Sequence, residues 1–375
     1  MHDPTTHRGK EPLAQDVRLY FSGRAVYEDM LADIERAERE IGLEMYIFED
    51  DEIGRRFRDA LVRQVEAGRC VRVIYDGLGC LDTPESFFES MRQAGVQVYA
   101  FNPIGGSRLL RNWRKVDRRN HRKLLVVDDR VAYLGGINIS AELADWEDAH
   151  VRLEGRIARS ARLSFERVWT RRYPRVSLQR TRRHWLHQHR SLILDGFPMP
   201  DFSPVKRTHL HLFSRARRRI RIAHAYFIPD RRIIRELGKA VRRGVDVDVL
   251  VPAHSDVRFA DLARRHVLGR LLRAGVRVRR LAKPMLHTKA ALADEHYAIV
   301  GSANLNRTSF FRNLEIALWS RDARVVRPLA ERFDRLWEVA TPYTLADHRR
   351  RDRWRQFLSW AASRLQFWLP TDQAW

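Results

Sequence analysis

The sequence predicts an α/β fold of two pseudo-symmetric α/β/α halves, each with a mixed, largely parallel sheet, and an active site at the interface between them. Three observations predict it. The first is a doubled motif, NHRKLLVVDDRVAYLGGIN at 120–138 and LHTKAALADEHYAIVGSAN at 286–304. Both copies read His-x-Lys-x4-Asp-x6-Gly-(Gly or Ser)-x-Asn and stay in register at a constant offset of 166 residues. The second is an alternation of strand and helix patterns ahead of each copy. The third is a break between 175 and 207, where Gly196, Pro198, Pro200 and Pro204 cluster without periodicity. The expected division is a first half at 1–190, a second half at 191–345, and a basic amphipathic helix at 346–375.

Taken in order, residues 25–40 carry Tyr27, Met30, Leu31, Ile34 and Ala37 at helical spacing. GLEMYIF at 42–48 reads as a strand. Residues 53–67 form a helix that stops at Gly68, and VRVIY at 71–75 is the next strand. A short helix at 87–93 ends before Gly95, followed by a strand at 96–101. The second half repeats the plan with a helix at 210–219, a strand at 220–228, and a helix at 233–243 ending at Gly244. A strand at 245–251, a helix at 260–273 before Gly275 and a strand at 276–281 lead to the second motif. Residues 324–340 form a further helix with Leu329, Phe333, Leu336 and Trp337 on one side. In the tail, Trp354, Phe357, Leu358, Ala361, Leu365 and Trp368 recur at helical spacing among arginines, a pattern that suits a lipid interface or a helix docked on its own core.

The chain has 375 residues and a formal net charge of +23, which points to an anionic partner: a phospholipid surface, nucleic acid or a phosphorylated substrate. Seven of its 70 Lys+Arg residues are lysine. A chain that otherwise uses arginine places Lys123 and Lys289 at matched positions, where a compact ammonium is not equivalent to a planar guanidinium. Cys70 and Cys80 make no disulfide framework and no metal-type spacing. No stretch is long and apolar enough to span a bilayer, and the polar N-terminal residues lead us to expect no signal peptide.

His121 and Lys123 stand two apart on a strand and project from one face, as do His287 and Lys289. Asp128 and Asp294 are seven residues from their histidines, so they would face away. The candidate catalytic set is thus His121, Lys123, Asp128, His287, Lys289 and Asp294, with the aspartates as its structural members, tying down a nearby turn. Gly136 permits close backbone approach and Ser302 replaces it in the second copy, while Asn138 and Asn304 bring amide donors; these four are the candidate substrate-binding residues. Two lysines and two asparagines suit phosphate oxygens. One histidine can attack phosphorus while the other, protonated, gives its proton to the leaving oxygen. A carboxylate beside each ring would hold the two protonation states apart. Asp148, ten past Asn138, and Glu315, eleven past Asn304, are the candidates to orient the histidines. No metal or other cofactor is expected, because nothing clusters like metal ligands and two lysines would repel a cation.

With these residues in view, the chain resembles the phospholipase D superfamily, marked by the doubled His-x-Lys-x4-Asp motif. More narrowly, it is similar to bacterial cardiolipin synthases of the type without N-terminal transmembrane helices, through MYIFEDDEIGRRF, VRVIYDGLG, AYFIPD, DAHVRLEG and GSANLNRTSFFRNLE. The likeness runs from about residue 18 to 343. It implies a metal-independent transfer of a phosphatidyl group from an anionic phospholipid to phosphatidylglycerol through a phosphohistidine. It also implies that Asp148 and Glu315 serve histidines of the opposite half, and that the enzyme works at the periphery of the cytoplasmic face of the bacterial inner membrane. The pseudo-symmetric motifs do not identify the nucleophile, for which His121 is our candidate. The basic run at 108–123, the arginines at 215–221 and the tail are the expected membrane contacts, each surface cation contributing about 1 kcal/mol against anionic lipid. The alternatives are a lipid hydrolase, a superfamily nuclease acting on DNA or RNA, and a non-catalytic membrane scaffold. A monomer would suffice for a complete site.

Overall fold

Two sheets of matching plan pack against each other in the computed structural model, which describes residues 14–104, 118–172, 190–199, 202–255 and 257–350. The first sheet begins with β1 (Asp16–Tyr20), followed by helix α1 (Gly23–Glu35), β2 (Glu40–Met45), α2 (Glu52–Glu66) and β3 (Cys70–Asp76). Next come α3 (Glu85–Gln93), β4 (Gln97–Phe101), the motif hairpin β5 (Leu124–Val127) and β6 (Val131–Gly135), then β7 (His150–Glu154) and α4 (Arg156–Trp169).

The second sheet opens with β8 (Ser191–Gly196), α5 (Pro204–Arg215), β9 (Arg219–His224), α6 (Arg231–Arg242) and β10 (Asp246–Pro252). It continues through α7 (Arg258–Arg273), β11 (Arg277–Leu281), the second hairpin β12 (Lys289–Ala293) and β13 (Tyr297–Gly301), and the short α8 (Arg307–Phe311). β14 (Glu315–Ser320), α9 (Ala323–Val339), β15 (Thr341–Pro342) and α10 (Leu345–Arg349) complete it.

The strand orders are β1-β7-β6-β5-β2-β3-β4 and β8-β14-β13-β12-β9-β10-β11-β15. Apart from β15, they are the same order. In each sheet the three strands separated by helices run parallel, β2-β3-β4 and β9-β10-β11. The motif hairpin and its flanking strands are antiparallel. Helical crossovers give parallel neighbours, and the three-residue connections at 128–130 and 294–296 give antiparallel hairpins, so this part of the mixture follows from the spacing of the elements.

The glycines that end the crossover helices, Gly68, Gly95, Gly244 and Gly275, have φ of +81°, +92°, +83° and +85°. That is the left-handed conformation in which glycine carries no Cβ penalty. The helix expected at 210–219 instead spans Pro204–Arg215, because Ser203 accepts the Lys206 amide at 3.2 Å and Pro204 starts the first turn. One buried apolar cluster joins Leu124, Val126, Val151 and Phe165 of the first half to Ala290, Leu292, Val300, Leu318 and Leu329 of the second. The halves therefore share a core and hold a fixed relation.

Two expectations about basic residues are corrected. Arg119 and Arg122, read as part of a surface lip, are buried: Arg119 lies 3.5 Å from Asp76, and Arg122 lies 3.3 Å from Glu44. In the 215–221 run, Arg219 pairs with Asp248 at 2.8 Å and Arg221 is buried against Glu295 and Asp334. Each of these guanidiniums is taken up by carboxylates of its own half. The rest of the lip at 108–117 and the amphipathic run at 351–375 lie outside the described residues.

Candidate active site

Each motif histidine precedes its hairpin on a short extended segment that crosses to the other half. Asn120 bridges Leu314, and Leu286 bridges Glu147. The His121 amide donates to the Leu314 carbonyl at 3.0 Å, and Leu314 returns a bond to Arg119 at 2.8 Å. In the second copy the His287 amide donates to Glu147 at 2.7 Å, and Glu147 returns a bond to Met285 at 2.8 Å. The residues thus clamped to the histidines immediately precede the two carboxylates. As a result Nδ1 of His121 lies 3.2 Å from Glu315, and Nδ1 of His287 lies 2.6 Å from Asp148. Each ring meets the carboxylate of the opposite half.

The two carboxylates occupy equivalent places although their sequence offset is 167 rather than 166. Gly135 pairs with His150 and Gly301 with Ala317, so each carboxylate lies two residues before the partner of its motif glycine. A Cβ at Gly135 would stand 2.4 Å from the Ala149 carbonyl, and one at Gly301 would stand 2.4 Å from that of Ile316. Both positions therefore need glycine for the strand to pass.

The next residue differs between the halves. A Cβ on Gly136 would lie 2.2 Å from Asp148 Oδ1, so glycine there makes room for the shorter carboxylate. Ser302, its counterpart, donates its hydroxyl to Glu315 at 2.5 Å. Gly136 and Ser302, the candidate substrate-binding residues, thus stand directly against the two carboxylates.

Lys123 and Lys289 are buried, and each donates to the carbonyl of its own histidine, Lys123 at 2.8 Å. Lys289 Nζ also lies 3.7 Å from Asp148 and 2.7 Å from His287 Nδ1. Nδ1 has one hydrogen-bonding site, and the anionic oxygen at 2.6 Å takes it as acceptor of the ring N–H.

Asp128 and Asp294, the structural members of the candidate set, are not among the groups at the rings. Asp128 accepts the amides of Glu38, Arg39 and Glu40 at 2.9–3.1 Å; Asp294 accepts those of Arg217, Arg218 and Arg219 at 2.8–3.0 Å. Both sit in hairpin turns at φ +54°, a conformation aspartate tolerates better than most residues. Each ties its hairpin to the turn that feeds the central strand.

Asn138 accepts the Ile47 amide at 3.2 Å, fixing the segment after β2. Asn304 is fully buried, and neither its carbonyl oxygen nor its amide nitrogen has a partner among the described residues. Of the two asparagines it alone keeps both polar atoms unspent.

Three aromatic residues that sequence reading did not assign flank the rings. Tyr46 meets His121 edge-on at 4.8 Å between centroids; Trp146 and Tyr226 meet His287 at 5.5 and 6.2 Å. Lys123 Nζ also lies 4.8 Å from the Tyr46 ring centre. The signal for the tyrosines was present, since Tyr46 and Tyr226 hold matching places in MYIF and AYFI.

The electrostatics of the two pairs differ. Burial pushes the Glu315 carboxyl up to about 7, against the pull of Lys123, the Ser302 hydroxyl and Lys289. Both lysines acting on one carboxyl places the two motifs in a single electrostatic site. Burial also opposes ionisation of Asp148, but the charges of Lys289 and His287 and the hydrogen bonds from His287 and Ala149 outweigh it and hold this carboxyl below its usual range. Nearby His150 is pushed down to about 3 by burial and is neutral. Among the described residues no group of His, Cys, Asp and Glu could hold a metal ion.

Two pseudo-symmetric sheets that bring paired His and Lys residues to one seam define the phospholipase D class of protein. The family described as "Cardiolipin synthase, PLD-like domain" matches residues 30–169 and 210–337. The chain is 30% identical to the major cardiolipin synthase ClsA of Bacillus subtilis over 351 residues, covering 90% of this chain and 72% of that protein. It is 32% identical to cardiolipin synthase A of Pseudomonas putida over 350 residues, covering 89% and 71%. Phosphatidylserine synthase of Haemophilus influenzae shares the fold, with a TM-score of 0.71 over 95% of both chains at 16% identity. The chain belongs to the cardiolipin synthase family of phospholipase D-like proteins, and it is an enzyme of the phosphatidyltransferase class.

Proposed function

We propose that this enzyme transfers a phosphatidyl group from one phosphatidylglycerol to a second, producing cardiolipin and glycerol through a phosphohistidine on His121. The observation that carries the reading is the crossed pairing, in which each imidazole is held by the other half's carboxylate. Asp148 is ionised and close to His287, so it supports a protonated ring there. Glu315 is half neutral near pH 7 and lies farther from His121, so that ring has no full counter-charge and stays a neutral nucleophile.

In the first step His121 Nε2 attacks phosphorus, the bond to the glycerol oxygen breaks, and His287 gives that oxygen its proton. In the second, neutral His287 takes the proton of the acceptor hydroxyl, the acceptor oxygen attacks phosphorus, and the phosphorus–nitrogen bond breaks. The Lys123 and Lys289 ammonium groups and the unspent Asn304 amide supply donors for the non-bridging oxygens.

Among the described residues no helix is long and apolar enough to cross a membrane. The enzyme reaches its lipid from the cytoplasmic face as a peripheral protein, held by exposed cations such as Arg118, Arg217 and Arg218 and by the tail. Purified protein is incubated with phosphatidylglycerol vesicles and, in parallel, with plasmid DNA. Cardiolipin with glycerol is the expected result. Phosphatidic acid alone would make the enzyme a hydrolase, and nicked plasmid would make it a nuclease. Mass spectrometry after alkaline quenching is expected to place the phosphatidyl group on the peptide containing His121; finding it on the His287 peptide reverses the assignment.

A further inference from the structure

The two segments that carry the histidines across the seam are held differently. The carbonyl that accepts the His121 amide belongs to Leu314, and the one that accepts the His287 amide belongs to Glu147. The offset of 167 that relates Asp148 to Glu315 also relates Glu147 to Leu314, the helix caps Gly155 and Asp322, and Phe165 of α4 to Arg332 of α9. Leu314 and Phe165 are buried in the apolar cluster shared by the halves. Their equivalents are an anion from the first half and a cation from the second.

Arg332 takes both oxygens of Glu147. Its Nε lies 2.9 Å from Oε1, and Nη2 donates to Oε2. Glu147 is buried, whereas Arg332 is partly exposed and sets its guanidinium 5.6 Å from the ring centre of Phe21. Burial pushes the Glu147 carboxyl up, against the pull of Arg332. The main chain completes the arrangement. The Glu147 carbonyl accepts the amides of His287 and Thr288 at 2.7 and 3.0 Å and the Thr288 hydroxyl at 3.1 Å. The Asp148 amide donates to the Phe21 carbonyl at 3.0 Å, and the Asp148 carboxylate holds the His287 ring. Packing beneath this segment is thin. By the motif offset Thr288 and Ala290 replace the larger Arg122 and Leu124, and a small void runs along them beside Arg332.

We propose that Arg332 and Glu147 are positioning residues for the transfer: their ion pair fixes the segment from which Asp148 aims the His287 ring. A two-bonded guanidinium sets the direction of a carboxylate as well as its charge. The pair therefore does for His287 what apolar packing around Leu314 does for His121. Arg332 acts through Glu147 by hydrogen bonds and through Phe21 by contact, so it governs residues 147 and 148 together. The consequence for chemistry rests on the reading of His287 as the acid of the first step. A misaimed acid slows departure of a glycerol oxygen, which must receive a proton as its bond to phosphorus breaks. It does not slow departure of p-nitrophenolate, which leaves with the electron pair and needs no proton.

Turnover is measured on phosphatidylglycerol, and the initial burst of p-nitrophenolate on phosphatidyl-p-nitrophenol, for the full chain and for Glu147→Leu, Arg332→Gln and Arg332→Lys. Glu147→Leu copies the other half and leaves no buried charge unpaired, and a melting curve on each variant establishes that the fold is kept. Glu147→Leu and Arg332→Gln are expected to lower kcat on phosphatidylglycerol by about ten- to a hundredfold with KM little changed, and to keep the burst. Arg332→Lys, which keeps the charge, should retain more of the rate than Arg332→Gln. The double variant Glu147→Leu/Arg332→Gln should lose no more than either single one. The proposal is overturned if the folded variants turn over phosphatidylglycerol like the native chain, or if the two losses multiply. It is equally overturned if their losses on the two substrates do not follow those of His287→Ala. Loss of the burst in His287→Ala itself would instead overturn the reading of that ring as the acid, so the two failures are told apart.

Discussion

Glu315 and Asp148 do the same geometric job with opposite responses to pH. The Glu315 carboxyl is raised from 4.5 to about 7, so its contribution to stability is fully present below 4.5 and is lost as pH rises through about 7. Asp148 is lowered, so its contribution is present above 3.8 and is lost as pH falls through its folded value. Glu315→Gln is therefore expected to flatten the stability of the protein between pH 4.5 and about 7, read by urea denaturation at several pH values. On the proposed phosphohistidine path it should also remove a rising limb of the transfer rate near pH 7, because a phosphorylated His121 would need the ionised carboxylate beside it. An unchanged slope in both measurements sinks the assignment. At this scale the histidines and lysines were legible from the doubled motif. The roles of Gly136 and Ser302 were not, because each acts on a carboxylate about a dozen residues away that is brought back by strand pairing.

The motif hairpins are anchored by their aspartates, and the anchoring is separable from the chemistry. Asp128→Ala or Asp294→Ala strands three backbone amides, so each is expected to cost roughly 1.5–3 kcal/mol of stability. The turnover of the folded fraction should stay near that of the native chain, whereas His121→Ala and His287→Ala should lose it by at least roughly 10²–10⁴-fold. Measuring turnover against the folded fraction from the melting curve decides the matter, and a folded but inactive Asp128→Ala would return this residue to the catalytic set. The strand at each His and Lys and the turn at each aspartate were readable from the motif spacing. What local sequence did not carry was that Arg122, inside a basic run, would be enclosed by Glu44 and Ser164.

Across the whole molecule the crossed pairs make the halves chemically inseparable. Asp148→Asn and His287→Ala, in different halves, are expected to be non-additive in turnover because they remove one unit. Asp148→Asn should instead compound with Ser302→Ala, which perturbs the other pair. Full additivity of Asp148→Asn with His287→Ala would contradict the pairing. The proposed membrane role of the tail is tested by its removal: deletion of 351–375 is expected to weaken flotation with anionic vesicles while sparing activity on detergent-dispersed lipid. The cut leaves α10 intact, where His348 packs so closely on Gly269 that a Cβ there would stand 2.2 Å from its ring. Flotation equal to that of the full chain would remove the tail from membrane binding.

The sequence by itself determined the duplication, the four glycine helix stops and the identity of the paired His, Lys and carboxylate residues. These are encoded in spacing and in local conformational preference. Only the tertiary structure decided which carboxylate meets which ring, which motif residues stand against the carboxylates, and which arginines are buried. Those outcomes depend on segments far apart in the chain meeting across one shared core, and no local pattern contains that distance.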